Sequence, residues 1–280
     1  MKIQLKTAPR GNFEEIEVKQ GTTIEEIYSR YEKDLPYTIL AAKVNNKFED
    51  LTYSLSDNCN LELLDMRTQT ANLIYQYSLS LIYLKAVYDC LGDVKVEIQN
   101  SLNKGLYTEI KTEKPVTARQ VHAIEKRMRA IVQEDMPFVK EIVSIEEAMD
   151  ILEQEGMKEK QRILRESLNL TQVKFYSLDG VRDFFYGLMV PSTRYIKFFE
   201  LIKYRRGVLL RFPHPSNPNV IPEYEDEKKL YQAFGEQTKW DKLLDVNYVA
   251  DLNDKIENGQ YRELIQLSEA LHEKKIAEIA

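Results

Sequence analysis

The sequence is poor in cysteine, histidine and tryptophan, and it has no long apolar run. Its 280 residues include two cysteines, three histidines and one tryptophan. Two thiols cannot make a disulfide framework, which indicates a reducing compartment. The longest apolar stretch is shorter than the ~20 residues that a membrane helix needs, and the charged N-terminus lacks the apolar segment of a signal peptide. We therefore expect a cytoplasmic protein that contacts no membrane.

The motifs of phosphoryl transfer and of zinc binding are also missing. A P-loop needs the pattern G-x-x-x-x-G-K-[ST], whose backbone N–H groups and lysine hold phosphate oxygens. No segment of the sequence has this pattern. The three histidines, His122, His214 and His272, are far apart and have no cysteine at zinc-ligand spacing. The sequence therefore predicts no catalytic residue and no metal site in this chain.

The remaining composition is typical of a globular protein with an acidic balance. Hydrophobic residues make up 43% of the chain, charged residues make up 30%, and the net charge is −6. This length is sufficient for more than one domain with a core. Because an acidic molecule is not a general binder of polyanions, we expect no DNA partner, and any contact with nucleotide or RNA requires a local basic patch.

The first 66 residues have the element order of a small β-grasp domain. Alternating apolar residues on both sides of the turn Pro9–Asn12 predict a hairpin. Thr22 or Thr23 then caps a helix whose first turn is acidic. Apolar runs over 38–44 and 61–64 predict two further strands. Hairpin, helix and strands in this order predict an α+β module.

Two motifs in this segment resemble the TGS domain. They are the runs Gly21–Ile27 (GTTIEEI) and Ala41–Asn46 (AAKVNN). TGS domains are β-grasp modules of threonyl-tRNA synthetases and of some GTPases and stringent-response proteins. The resemblance covers residues 1–66 and implies a TGS β-grasp domain there.

Residues 67–224 predict a larger α+β domain. Apolar residues at helical spacing mark a long helix over 70–91 and a second one that begins at Thr117. Strands at 196–204 and 208–212 form a predicted hairpin. Three short motifs within residues 67–224 carry a resemblance to a known domain. They are Gly105–Tyr107, Ala123–Met128 and Val190–Arg194. Their order and spacing resemble those of the second, editing-type domain of threonyl-tRNA synthetase.

Residues 225–280 predict a helical connector. The segments 251–253 and 269–275 resemble the connector that precedes the kinase domain in clostridial nucleoside kinases of the uridine kinase type. This resemblance implies a P-loop kinase domain after Ala280 as the chain's partner. ATP and magnesium are expected only for that domain, so no cofactor is expected in this chain.

The synthetase-like domain has lost the ligands of the site that it resembles. That metal or editing site has two histidines four residues apart on the long helix, and a cysteine and a histidine four apart near a later loop, a set suited to zinc. The matching positions here are Tyr77 and Leu81 on the helix and Phe185 and Met189 before the loop. These side chains do not bind zinc, so we expect neither metal-dependent nor editing hydrolysis by the mechanism that the resemblance implies.

A polar cleft at the place of the lost site is the first candidate site. Polar groups around an apolar pocket are typical of a small-molecule site. The residues that the resemblance brings together there are Tyr77, Ser101, Lys104, Tyr107, Asp183, Tyr186 and Ser192. In the competing interpretation, Leu81, Phe185 and Met189 fill the cleft, and three large apolar replacements favour this second interpretation.

A basic hairpin is the second candidate site. Its cations are Arg194, Lys197, Lys203, Arg205, Arg206 and Arg211, with one acid, Glu200, among them. Because aromatic residues are interleaved with these cations, the segment is suited to phosphate contact and base stacking by nucleotide or RNA. Edge hairpins also carry lysine and arginine merely to prevent aggregation.

Three functions remain open on these observations. The first is a non-catalytic regulatory or RNA-recognition region of a nucleoside kinase. The second is a free-standing tRNA-binding or aminoacyl-tRNA deacylase-like module, which would work without a metal through Asp183 or Lys104. The third is an interaction module whose TGS-like part binds RNA or a protein.

Overall fold

The chain folds into two compact units of mixed α+β structure. The computed structural model describes residues 1–165 and 170–280. One unit comprises Met1–Glu141 and Lys174–Asp226, and the other comprises Ile142–Val173 and Glu227–Ala280. The segment 142–173 therefore groups with the C-terminal helices, whereas the sequence placed it in the second domain. The predicted domains 1–66, 67–224 and 225–280 stay predictions.

The first 66 residues of the first unit form a five-stranded sheet and one helix. The strand order is β2-β1-β5-β3-β4. The central pair β1–β5 is parallel, and the other pairs are antiparallel. The elements are β1 (Lys2–Lys6), β2 (Glu14–Glu17), α1 (Ile24–Tyr31), β3 (Ile39–Val44), β4 (Lys47–Glu49) and β5 (Asn60–Asp65).

Local chemistry explains these elements. Thr23 and Glu26 form a capping box at the start of α1, which satisfies backbone N–H groups that the helix leaves unpaired. Asn45 and Asn46 both have positive φ, 46° and 71°, as the tight turn between β3 and β4 requires. Successive side chains of β1 point to opposite faces of the sheet, so Ile3 and Leu5 are both buried in the hydrophobic core.

Two long helices and a four-stranded sheet form much of the rest of the first unit. The sheet has the order β11-β12-β7-β6 and is antiparallel throughout. The helix α2 buries residues around most of its circumference, so it lies inside the core. The elements are α2 (Gln69–Leu91), β6 (Val96–Leu102), β7 (Gly105–Ile110), α3 (Ala118–Gln133), β11 (Glu200–Tyr204) and β12 (Gly207–Arg211).

The structure corrects two expectations in this region. The predicted strand over 196–204 begins only at Glu200, because a 3-10 turn at Thr193–Tyr195 comes first. A strand that the sequence pattern did not reveal, β10 (Val181–Phe184), pairs with β9 (Gln172–Leu178). The third strand beside β9 is β8 (Val139–Ser144).

The second unit is built mainly from helices. Arg162 ties α5 to α7, since its guanidinium lies 2.8 Å from Asp251 and also bonds Asp254. The helices are α4 (Ile145–Gln154), α5 (Lys158–Arg165), α6 (Lys228–Leu243), α7 (Val249–Glu257) and α8 (Tyr261–Ile279). Across the described ranges, every helix is too short or too polar to span a bilayer.

Candidate functional site

The four positions that the resemblance matches to a metal or editing site lie in packed, apolar surroundings. Leu81 is 0% exposed and Met189 is 2% exposed, and both belong to the main hydrophobic core. Tyr77 and Phe185 are half-buried, and their ring centroids are 5.8 Å apart. The helix α2 and the loop after β10 therefore meet where the resemblance implied, but through hydrocarbon contacts.

Gly187 sets how closely this loop approaches α2. A Cβ atom at Gly187 would come within 2.4 Å of Cε2 of Tyr77. No side chain other than hydrogen fits at such a distance, so glycine lets the loop backbone lie on the tyrosine ring. This contact closes the cleft from the loop side.

Two buried side chains of α2 also form hydrogen bonds with the backbone of the segment that follows β10. Ser78 Oγ donates to the Ile74 carbonyl oxygen at 2.8 Å and accepts from Val190 N at 3.2 Å. The Tyr75 hydroxyl donates to Phe198 O at 2.7 Å and accepts from Phe198 N at 3.0 Å. Burial raises the pKa of Tyr75, so this hydroxyl stays protonated and keeps both bonds.

Among the seven residues of the predicted cleft, several have partners of their own. Tyr107 is 3% exposed on β7, and its hydroxyl donates to Glu109 at 3.1 Å. Ser192 Oγ donates to a carboxylate oxygen of Asp135. Asp183 accepts from the backbone N–H of Phe184 at 2.7 Å. These polar groups are engaged in bonds that hold the local fold.

The other members of this set do not line a common cavity with them. Ser101 and Lys104 are exposed at the β6–β7 hairpin, where Lys104 has a φ of 53°. Tyr186 is 75% exposed beside the loop glycine. Two cavities of the described residues, one beside Tyr75 and Phe198 and one between α7 and α8, are lined by other side chains. The structure thus favours the filled interpretation of the cleft.

Metal-binding chemistry is also missing from these surroundings. Within residues 1–165 and 170–280, no group of three or more His, Cys, Asp or Glu side chains is placed to hold an ion. The prediction that the chain carries no metal site stays a prediction.

Four of the six cations have partners within the first unit, either in the hairpin itself or elsewhere. The guanidinium of Arg194 lies 2.9 Å from Glu25, and that of Arg205 lies 3.6 Å from Asp226. The Lys203 amine donates to the Arg205 and Gly207 carbonyl oxygens, and burial lowers its pKa. Their charges are partly balanced within the fold, which weakens any basic patch that they form.

Arg211 is the most deeply placed of the four. It is 2% exposed, forms an ion pair with Glu200, and donates to the Pro222 carbonyl oxygen. Its guanidinium also lies 5.7 Å from the ring centroid of Tyr224. A buried, paired arginine is out of reach of a phosphate in solution, so Arg211 acts in packing of the segment after β12.

Lys197 and Arg206 differ from these four. Both are exposed, and no ion pair or side-chain hydrogen bond within the described residues engages either one. Phe198, beside Lys197, is 37% exposed, and its backbone is held by Tyr75. The two open cations and this aromatic side chain are the part of the predicted contact set that a phosphate and a base can reach.

An aromatic cluster next to the filled cleft was not found in the sequence. Phe184 lies between the buried Phe175, at a centroid distance of 5.9 Å, and the exposed Tyr186, at 4.6 Å. Tyr186 belongs to the predicted cleft residues, but the neighbouring rings of Phe175 and Phe184 do not. The signal that could have found them is the consecutive run of three aromatic residues at 184–186.

An ion pair between the buried Asp50 and the exposed Lys140 joins β8 to the segment after β4. Lys140 Nζ lies 2.6 Å from Asp50, which also accepts from the Thr52 hydroxyl. Burial alone would raise the pKa of Asp50, but the hydrogen bonds from Lys140 and Thr52 outweigh this effect and hold the pKa below its ordinary value. The nearby hydroxyl of Tyr176 has a pKa raised to about 12 by burial. These groups have a structural role, with the carboxylate ionised at neutral pH.

Comparison with known proteins relates this chain to threonine–tRNA ligases. It is 30% identical over 182 residues to the enzyme of Desulforamulus reducens, 28% over 186 residues to that of Acetivibrio thermocellus, and 25% over 246 residues to that of Methylobacillus flagellatus. The alignments cover 65%, 66% and 86% of this chain. No family model matches the chain.

The chain spans 29%, 29% and 36% of the length of these three relatives. A threonyl-tRNA synthetase-like region over much of the chain is therefore confirmed. These relatives give no support to the predicted link with a nucleoside kinase, and they do not single out a TGS domain. Both of these finer statements stay predictions.

Proposed function

We propose that this chain is a tRNA-binding module derived from threonyl-tRNA synthetase, without hydrolytic activity towards aminoacyl-tRNA. Its curated relatives are named for ligation of threonine to tRNA, and they resemble it over 65% to 86% of its length. In this proposal residues 1–66 act as a TGS-like module beside the synthetase-like domain.

The burial of Leu81 and Met189 is the observation that carries the proposal. A zinc centre needs imidazole, thiolate or carboxylate ligands around an open position. Here two of the four equivalent side chains are core residues, and the other two, Tyr77 and Phe185, lie against each other. Restoring a water-filled site would require opening this packing. Binding without turnover is the function that such a region can retain.

RNA contact is assigned to the exposed side of the hairpin. Lys197 and Arg206 offer cations for phosphates, and Phe198 offers an aromatic face for an unpaired base. Phosphate contacts supply most of the affinity of sequence-tolerant RNA binding and make it dependent on salt. The acidic net charge of −6 limits this binding to the local patch.

A charge-reversal experiment tests the assignment. Fluorescence anisotropy of labelled tRNA is measured with the wild-type chain and with the K197E/R206E variant over a range of salt concentrations. Loss of two phosphate contacts should lower the slope of log K against log salt by about 2. The matched control is K19E/R119E, which reverses one exposed lysine and one exposed arginine elsewhere in the same unit.

The two variants separate specific from general attraction. We expect the control to bind tRNA within about threefold of wild type, as surface charges away from a site contribute little. Equal weakening in both variants would show that binding follows net charge alone, and no detectable binding by the wild-type chain would refute the proposed function.

A deacylation assay tests the second half of the proposal. Aminoacyl-tRNA is incubated with the chain, with and without added zinc, and ester hydrolysis is compared with buffer. We expect no acceleration in either case. Acceleration that is lost in Asp183→Asn or Lys104→Met would instead favour a metal-free deacylase, the alternative that the sequence left open.

The link to a nucleoside kinase is not part of this proposal. It depends only on the segments 251–253 and 269–275, whose likeness to a kinase connector no relative described above supports. A P-loop domain with bound ATP and magnesium, and nucleoside phosphorylation by it, stay predictions from resemblance.

A further inference from the structure

A small cleft lies beside Lys197 and Phe198, the pair assigned above to phosphate and base contact. Residues from the segments 37–40, 195–198 and 218–219 of the first unit line it, together with buried side chains below them. The enclosed part has room for about one water molecule. The cleft is therefore too small to enclose a whole nucleotide, and a larger ligand lies across its mouth.

The floor of the cleft is apolar and is held by hydrogen bonds within the fold. Its side chains are between 1% and 4% exposed and are those of Leu40, Met66, Tyr75 and Tyr195. The Tyr75 hydroxyl bonds two backbone atoms of Phe198, and the Tyr195 hydroxyl donates to Glu25 at 2.6 Å. Because both hydroxyls are used in this way, the floor offers hydrocarbon and aromatic surface to a ligand.

Two aromatic rings border the mouth of the cleft. Phe198 is 37% exposed, and Tyr37 is half-buried. Arg67 does not line the cleft, but its guanidinium lies 4.7 Å from the centroid of the Tyr37 ring. The buried Asp65 holds this guanidinium through a contact of 2.7 Å. The stacked arginine, which a carboxylate fixes in turn, keeps the tyrosine ring in place.

Three polar groups of the lining have no bond within residues 1–165 and 170–280. They are the Thr38 hydroxyl, the Lys197 ammonium group and the amide oxygen of Asn219. The amide nitrogen of Asn219 donates to the Pro36 carbonyl oxygen at 3.2 Å, which holds this side chain in position. A hydroxyl, a carbonyl oxygen and a cation can serve the polar edge of a base and the phosphate next to it.

We propose that the cleft binds one unpaired base of an RNA. The base lies against the rings of Tyr37 and Phe198. Its edge meets Thr38 and Asn219, and the adjacent phosphate meets Lys197. A base within a double helix has its faces covered by stacking, so only a base that is splayed out can use this site. The inference rests on the RNA binding proposed above and adds that residues 37 and 38 take part in it.

Fluorescence anisotropy with a single strand tests the class of ligand. A labelled single-stranded RNA of about eight nucleotides is compared with the same strand annealed to its complement, at physiological salt. We expect the single strand to bind about fivefold or more tightly than the duplex, the gain from one stacked base. Adenosine monophosphate, added as competitor at the strand's own concentration, should not displace the strand, because it lacks the neighbouring phosphates.

Tyr37→Ala tests the aromatic wall contributed by the first 66 residues. Loss of stacking should weaken binding of the single strand about fivefold or more. The slope of log K against log salt should stay that of wild type, because no phosphate contact is removed. Tyr37→Phe keeps the ring and should bind like wild type. The matched control is Phe48→Ala, since Phe48 is a 46% exposed aromatic residue of β4 that does not line the cleft.

Cross-linking of the wild-type chain locates the base without any substitution. A single strand that contains 4-thiouridine is irradiated with the chain, and the attached residues are identified by mass spectrometry. We expect attachment at Tyr37 or Phe198, the two rings at the mouth.

The outcomes separate this inference from the function on which it rests. If K197E/R206E weakens tRNA binding but Tyr37→Ala binds the single strand like wild type, the inference is overturned and the proposed function stands. Equal affinity for strand and duplex, displacement by adenosine monophosphate, equal weakening by Phe48→Ala, or cross-links only outside the cleft would also overturn it. A wild-type chain without affinity for any RNA would refute both.

Discussion

Replacing Leu81 by alanine tests whether the former ligand positions have become hydrophobic core. Leu81 is 0% exposed in the middle of α2, within the main core cluster. If the cleft is filled as described, alanine at this position leaves an enclosed cavity. If a cleft were open beside α2, the same change would only enlarge a solvent-filled space.

The expected magnitude follows from the packing. The change removes three carbon atoms from the core, worth about 2.4 kcal/mol at ~0.8 kcal/mol per methylene group. A residual cavity of roughly 50 Å³ adds about 1.2 kcal/mol. We therefore expect the free energy of unfolding to fall by about 3 to 4 kcal/mol. Leu73→Ala on the same helix, where the side chain is 39% exposed, should cost about 1.5 kcal/mol or less.

Urea unfolding of the first unit measures this difference. Near-ultraviolet circular dichroism of its buried tyrosines is the suitable signal, because the single tryptophan, Trp240, lies in the second unit. Leu81→Ala should also leave tRNA binding unchanged at urea-free conditions, since the side chain contacts no exposed surface. A loss no larger than that of Leu73→Ala would refute the interpretation that the site is filled.

Three further substitutions test two contacts of the first unit and one helix of the second. Gly187→Ala should cost about 1 to 3 kcal/mol, because its Cβ would overlap the Tyr77 ring, whereas Gly235→Ala, with no atom within 4 Å, should stabilise α6 by about 0.5 to 1 kcal/mol in thermal unfolding. Lys140→Met should cost about 1.5 to 3 kcal/mol at neutral pH by removing the charged bond to Asp50. Because the folded pKa of that carboxyl is lowered, its contribution is complete well above the ordinary value of 3.8 and is lost as the pH falls through the lowered value. The difference in stability between wild type and Lys140→Met should therefore vanish in acid, and a difference independent of pH would contradict the assignment.

The predicted cleft residues and the exposed hairpin cations differ in whether their polar groups have partners within the fold. Tyr107 and Ser192 are hydrogen-bonded within the fold. Lys197 and Arg206 are exposed, and no ion pair within the described residues engages them. This distribution of partners agrees with binding at the exposed cations, which is the function proposed above.

The sequence by itself determined the local elements. Thr23 and Thr117 cap helices with reciprocal bonds from residues three positions later, and Asn45–Asn46 turns a hairpin, because these preferences depend on neighbouring backbone atoms alone. The sequence also places leucine and methionine, which do not bind zinc, at positions 81 and 189, and the prediction that the chain holds no metal there depends on this side-chain chemistry.

Only the tertiary structure decided which cations are free. The acid that pairs with Arg194 is Glu25, 169 residues away, and the partner of Arg205 is Asp226 in a later loop. The burial of Arg211 likewise depends on the backbone of Pro222. Charge in a sequence shows that a cation is present, but its balance depends on which distant segment the fold brings beside it. Which two cations of the basic run, Lys197 and Arg206, have no ion pair among the described residues was therefore decided only by the fold.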